Sequence, residues 1–213
     1  MGMSLFPIFL KLEGRRCLVA GAGNIATPKI RSLLDSGAEV RVVAPKASLE
    51  VTELAGKELI IWEQRTFEVN DLEGKFLVIA ATPSAEANGL IFREATKRKI
   101  LCNSVDDPEN CDFFYPAVVR RGNFQLAIST AGHSPALAQR LRKQFESEFG
   151  SEYETWVEGL GRARKELFER DMDSETRRQL LHQLASREAY EAAHPLAPAD
   201  LVLVGDTERE ARK

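Results

Sequence analysis

The 213-residue chain carries 29 Lys+Arg against 32 Asp+Glu, a net charge of -3, and 44% of it is apolar. That balance excludes the global basic field that draws nucleic acid or an anionic membrane surface, and the length suits one nucleotide-binding domain of roughly 110 residues with a smaller appendage. Residues 1–9 show no basic leader, no apolar stretch approaches the ~18 residues that span a bilayer, and Cys17, Cys102 and Cys111 form no C-x-x-C pair. The expectation is a cytoplasmic protein with no membrane or nucleic-acid partner, no disulfide framework and no resident metal.

The first predicted strand, residues 16–20, leads into Gly21-Ala22-Gly23-Asn24-Ile25-Ala26 and then a helix over 27–36. A G-x-G-x-x-G/A sequence is common by chance, but at a strand-to-helix turn it has a physical task. The first Gly makes the turn, the second lets backbone approach a pyrophosphate, and a small third residue lets helix and strand pack closely. The helix N-terminus adds unpaired N–H groups and a partial positive charge. Gly21, Ala22, Gly23, Asn24 and Ile25 are therefore candidate dinucleotide contacts. Pro28 is tolerable in the first helical turn, Ile30, Leu33 and Leu34 fall at helical spacing, and Gly37 marks the stop.

Further strands are expected at 39–43, 59–63, 76–80 and 100–103, with a helix over 85–98 whose inner face is Leu90, Ile91 and Ala95. Strands alternating with helical stretches predict an α/β fold, a Rossmann-like parallel sheet with helices on both faces. After 103 the pattern changes. A polar turn, Asp106-Asp107-Pro108-Glu109-Asn110, precedes two strand-like runs, 113–119 and 124–129, joined through Arg120-Arg121-Gly122-Asn123. A helix over 136–149 follows, with Leu137, Leu141 and Phe145 recurring every four residues. From 151 the composition is highly charged, with apolar stripes Trp156-Leu160-Ala163-Leu167 and Leu180-Leu181-Leu184 that predict two amphipathic helices. The short apolar run 201–204 has no assignment, and the charged end 206–213 is expected to be mobile. The predicted organisation is a Rossmann domain over 1–112, a small α+β unit over 113–150, and a helical C-terminal region over 151–213.

Ligands of an open α/β sheet bind beyond the carboxyl ends of the strands, which selects Pro45 and Lys46 after the second strand, Thr82 after the fourth, and Asn103 and Asp106 after the fifth. Asp106 is either a proton acceptor beside a nicotinamide or a turn-capping Asp before Asp107-Pro108, and Asn103 shares that ambiguity. In the loop Thr130-Ala131-Gly132-His133-Ser134-Pro135, Ser134 reads as an N-cap with Pro135 at the first helical position, while Thr130 and His133 are candidate substrate contacts. Arg120, Arg121, Arg140 and Arg142 stand near this loop and can hold carboxylates through forked hydrogen bonds. His182 and His194 read as solvated surface groups.

Four separated motifs carry a family resemblance: Leu5-Phe6-Pro7-Ile8-Phe9-Leu10, the Gly21–Ala26 loop with Lys29, Asn103-Ser104-Val105-Asp106-Asp107-Pro108, and Ser129-Thr130-Ala131-Gly132-His133-Ser134-Pro135-Ala136-Leu137-Ala138 followed by Arg140. Together they span about residues 4–150 and resemble precorrin-2 dehydrogenase, the family that also supplies the dehydrogenase and ferrochelatase part of siroheme synthase. The resemblance implies NAD-dependent oxidation of precorrin-2 to sirohydrochlorin by a homodimer whose second unit swaps across the two-fold axis, which makes 113–150 the dimerisation and substrate-cleft unit. It makes Asp106 the main catalytic group, also for insertion of ferrous ion where chelation occurs, with that ion a substrate. It gives the arginines near Arg120 and Arg140 an acidic tetrapyrrole to bind. The family often has Ser at the position of Thr130, a change that keeps the hydroxyl. No carboxylate ends the second strand, Val42-Val43-Ala44-Pro45-Lys46, to take a ribose 2'-hydroxyl. The resemblance implies NAD held there by backbone at Pro45 and Lys46, although Lys46 would also accept a 2'-phosphate. A reading from another class is a nucleotide-sensing regulatory domain, which would bind NAD(H) through the same loop and need neither Asp106 nor the arginines.

Overall fold

A computed structural model describes residues 5–105 and 107–193. The expectations for Asp106, His194, the run 201–204 and the charged end 206–213 thus fall outside the described residues. The chain divides into two compact units, one through Tyr115 and one from Pro116.

In the first unit the order is β1 (Arg16–Ala20), α1 (Thr27–Asp35), β2 (Glu39–Val43), α2 (Leu49–Gly56), β3 (Ile61–Glu63), β4 (Leu77–Ala80), α3 (Ala85–Lys97) and β5 (Leu101–Ser104), with a short 3-10 helix, Val69–Leu72, before β4. The strands form one sheet in the order β3-β2-β1-β4-β5, and every pairing is parallel. The strand order reverses between β1 and β4, so their carboxyl ends open a crevice of the kind that binds nucleotides in doubly wound folds.

Residues alternate between two apolar layers, as the two-residue strand period requires. Cys17 and Val19 of β1, Val40 and Val42 of β2 and Leu77 and Ile79 of β4 face one cluster with Ile30, Leu33 and Val51 of the helices. Leu18, Ala20, Val43, Val78, Ala80 and Cys102 face the other, with Leu72, Ile91 and Ala95. Helices thus cover both faces, which is why these strands are continuously apolar. α1 ends where expected: Gly37 takes a left-handed φ of 76°, and its N–H returns to the Leu34 carbonyl.

Several expectations are corrected. α2 was absent from the predicted elements because only Val51 of its residues is buried and Leu49 at its start is 77% exposed, which leaves no apolar stripe. On α3, Leu90 is exposed and the inner face carries Asn88, Gly89, Ile91 and Ala95. The third strand starts at Ile61, after a turn with Glu58 at positive φ, and the fifth runs on to Ser104.

In the second unit, β6 (Ala117–Arg121) and β7 (Phe124–Ile128) pair antiparallel, with Arg121 opposite Phe124. The connection is therefore Gly122-Asn123 alone, and Arg120 and Arg121 belong to the strand instead of the turn. Gly122 at φ 53° makes this two-residue hairpin possible. α4 (Pro135–Glu148) begins as expected, with the Ser134 hydroxyl accepting from the Leu137 N–H, but its buried residue is Ala138 while Leu137 is 47% exposed. The charged stretch forms α5 (Glu152–Glu169), α6 (Ser174–Leu184) and a third helix, α7 (Arg187–Ala193), where two were expected. Rings of Phe124, Phe145, Phe149, Tyr153, Trp156 and Tyr190 meet in a continuous series that joins β7, α4, α5 and α7. No described helix is long and apolar enough to cross a membrane.

Candidate functional site

The crevice is built around Gly21. Its φ of 111° lies in the region that side chains rarely adopt, and a Cβ there would stand 2.2 Å from the Ala81 carbonyl oxygen. The turn after β1 is thus pressed directly against the turn after β4, which only glycine permits. Its N–H donates to the Val43 carbonyl, so the same residue is tied to β2. Gly23 is the opposite case: a Cβ there would meet nothing within 4 Å, so its backbone faces open space. Ala26 is 1% exposed and packs into the sheet-side cluster, as the close helix-strand contact demands.

Hydrogen bonds orient the loop. The Gly23 carbonyl accepts from the N–H groups of Ala26 and Thr27 and from the Thr27 hydroxyl. That pulls carbonyls toward the helix and leaves the N–H groups of Ala22, Gly23, Asn24 and Ile25 without acceptors among the described residues. Ala22 is only 2% exposed, and a buried N–H without a partner is costly unless a ligand supplies one. α1 itself has no side-chain cap and no acidic residue in its first turn. α2, α3 and α6 each have both a side-chain cap and a first-turn acid, α4 is capped, and α5 has two acids. The one bare N-terminus among these helices is at the glycine turn, where its dipole favours an anion. These residues fit a dinucleotide pyrophosphate.

Two residues absent from the sequence expectations fix the neighbouring walls. Thr27 and Ser48 hydroxyls lie 3.0 Å apart, the Ser48 N–H donates to the Ala22 carbonyl, and the Ser48 hydroxyl caps α2. This ties the segment with Pro45 and Lys46, both exposed, to the glycine loop. The signal available in sequence was a Ser before an acidic first turn, which identifies a cap but not its partner across 21 residues. Thr82 follows β4 beside Gly21, and its polar atoms are engaged by Asn88 and Ser84. The structure therefore brings Gly21–Ile25, Lys46 and Thr82 to one edge of the sheet.

Asn103 is 6% exposed, and its amide donates to the Phe113 carbonyl at 2.8 Å and to Cys111 Sγ at 3.3 Å, which folds residues 111–113 back along β5. In the turn after β5 the Asp107 carboxylate accepts from the Asn110 side-chain amide. Burial pushes the Cys17 thiol up to about 11 and the Cys102 thiol up to about 12, so both stay protonated and unreactive at neutral pH.

In the second unit, the Thr130 hydroxyl accepts from the Ser134 N–H and the Thr130 carbonyl from the His133 N–H, which closes a tight loop with Ala131 at φ 50° and Gly132 at 81°. His133 is exposed, and the Gly132 N–H has no acceptor among the described residues. The four arginines divide. Arg121 donates to the Phe149 and Glu146 carbonyls and so closes the end of α4, and Arg142 pairs with Glu146 one turn away. Arg120 and Arg140 are exposed, and their guanidiniums have no partner among the described residues.

Residues 8–117 match the family model described as "Putative NAD(P)-binding", and residues 121–148 match "Sirohaem biosynthesis protein central". The chain is 37% identical over 210 residues to the siroheme synthase of Methylococcus capsulatus, which covers 99% of this chain and 42% of that protein. It is also 37% identical over 145 residues to the siroheme synthase of Mannheimia succiniciproducens, covering 68% of this chain and 30% of that protein. The chain thus spans less than half the length of these relatives. Among solved structures it is similar to "SirC, precorrin-2 dehydrogenase", with a TM-score of 0.75 and 28% identity, covering 87% of this chain and 92% of that one. A bare helix N-terminus at a glycine turn, in a doubly wound sheet, agrees with the match over residues 8–117, and with the match over 121–148 and the siroheme synthase relatives it follows that this chain belongs to the precorrin-2 dehydrogenase and siroheme synthase family and has its NAD(P)-binding domain.

Proposed function

We propose that this chain oxidises precorrin-2 to sirohydrochlorin with NAD+ as cofactor, on the route to siroheme. The observation that carries the reading is the uncapped, acid-free N-terminus of α1 with N–H groups at Ala22, Gly23, Asn24 and Ile25 that have no acceptor among the described residues. Bound NAD+ supplies the acceptor for the hydride. The protein holds the pyrophosphate on that loop, with Pro45 and Lys46 beside the ribose and the Thr82 turn as the opposite wall. Without a carboxylate after β2, the ribose is held by backbone at Pro45 and Lys46.

Asp106 receives the proton lost from the tetrapyrrole: it follows β5 by two residues in sequence, and an open parallel sheet takes its ligands beyond the carboxyl ends of its strands. Asn103 supports that strand end. Arg120 and Arg140 hold the acidic side chains of the substrate, with Thr130 and His133 completing the anion contacts through the loop that opens α4. The chain works as a homodimer, as the family resemblance implies, and Leu137 at 47% and Phe168 at 54% exposure are apolar groups that a second copy would cover. Ferrous ion enters as a second substrate if chelation accompanies oxidation.

The test is to supply precorrin-2 and NAD+ to purified protein and follow NADH and sirohydrochlorin. Turnover should appear in the wild type and vanish in Asp106→Ala with NAD+ affinity nearly intact. Gly23→Asp should fold, since a Cβ there meets nothing, and lose NAD+ binding because a like charge faces the pyrophosphate. Binding of NAD+ without turnover would favour a nucleotide sensor, and parallel titration with NADP+ ranks the two cofactors.

A further inference from the structure

We infer that Asn88 is a positioning residue for the nucleotide crevice: its carboxamide replaces the missing strand partner at the end of β4 and holds the Ala81-Thr82 peptide against Gly21. The inference rests on the proposed reading in which Thr82 lines the cofactor site.

Up to Ala81 the backbone after β4 is held by the sheet, because the Ala81 N–H donates to the Ala20 carbonyl at 2.8 Å. At Thr82 that ladder has ended, and one side chain takes over. The Thr82 N–H donates to Asn88 Oδ1 at 3.0 Å, the Thr82 hydroxyl to the same oxygen at 2.7 Å, and Asn88 Nδ2 returns a bond to the Thr82 carbonyl at 3.0 Å. The amide orientation follows from this pattern, since the flipped form would aim an NH2 group at an N–H and leave the carbonyl facing an oxygen. Asn88 is 7% exposed on the inner face of α3, beside the apolar Ile91 and Ala95. A polar head in such a place is costly unless every group is bonded. Here the bonds go to a single residue.

The consequence for the crevice follows from Gly21. The Ala81 carbonyl lies 2.2 Å from where a Cβ on Gly21 would be, and the Thr82 nitrogen lies 3.1 Å from it. The two turns fit without clearance, so a shift of the Thr82 peptide moves the wall that faces the glycine loop. The hydroxyl also accepts from the Ser84 N–H, so the polar atoms of Thr82 are engaged within the turn itself. Asn is the residue that offers an acceptor and a donor on one short planar head. Asp keeps the acceptor and loses the donor, and Leu has the same shape with neither.

The test compares Asn88→Leu, Asn88→Asp and, as a lesion on the same helix that touches no Thr82 bond, Ile91→Val. Each is measured for NAD+ affinity by titration calorimetry, for hydrogen exchange at the Thr82 amide and for Tm. Asn88→Leu should weaken NAD+ at least tenfold and expose the Thr82 amide to exchange, with Asn88→Asp intermediate on both readouts. Ile91→Val should lower Tm and keep wild-type affinity. An Asn88→Leu protein that binds NAD+ like the wild type, or an equal loss of affinity in Ile91→Val, would overturn the positioning role. Should Asn88→Leu fail to fold, Asn88→Asp decides: wild-type affinity in that variant overturns the inference, and a loss that tracks Thr82 exchange supports it. Wild-type protein that bound no NAD+ would overturn the site reading itself, and the inference with it.

Discussion

The two units are stabilised in different ways. In the first, Cys17 to Ala20 of β1 and Val78 to Ala80 of β4 are completely buried, and helices cover both faces of the sheet. In the second, full burial among the described residues is limited to Val119, and Ala138 and Leu167 come next at 8% and 7%. Its cohesion comes from half-buried rings in tilted contact, with Phe149 and Tyr153 edge to face at 5.1 Å and 85°, and from Arg121 closing the end of α4. A buried parallel sheet gains from every apolar residue in it and tolerates few changes. A ring-stacked helical unit with exposed apolar groups gains further from being covered.

The first unit is least tolerant where the turn after β1 meets the turn after β4. Gly21→Val should destabilise the protein by about 3–5 kcal/mol, because the new Cβ collides with the Ala81 backbone at a strained φ; urea unfolding measures it, and a near-neutral result would mean that the turns are not packed together. Phe149→Ala should cost about 2 kcal/mol, below the ~3–5 of a fully buried Phe because its pocket is only half closed. Hydrogen exchange should then rise in the second unit alone. Spread of the exchange into β1 and β4 would show that the units unfold as one.

Acid titration sharpens the contrast. Burial alone would raise the Asp71 carboxyl, but hydrogen bonds from Arg65 and the Glu68 N–H outweigh it and hold it below the usual Asp range. Its contribution is therefore present above the unfolded-state value of about 3.9 and is lost as pH falls through the lower folded value. Asp71→Asn should be less stable than wild type near neutral pH and converge with it in acid, as urea midpoints across pH would show. The smallest effect concerns the second unit: Ser134→Ala removes the cap of α4 and should cost about 1 kcal/mol in a thermal melt.

Composition, hydrophobic period and turn chemistry were enough to determine the parallel sheet, the glycine loop, Gly37 as a stop, Ser134 as a cap and the hairpin at Gly122. Each of these rests on residues close in sequence, where a local pattern reports directly on burial or on φ. α2 was not legible, because a helix with one buried residue has no stripe to read. The pairing of Thr27 with Ser48, the three bonds between Asn88 and Thr82, and the engagement of Arg121 and Arg142 but not of Arg120 and Arg140 among the described residues were decided by the tertiary structure alone. Those contacts join groups whose chemistry is common everywhere in the chain, and only the packing of strand ends and helix starts selects which of them meet.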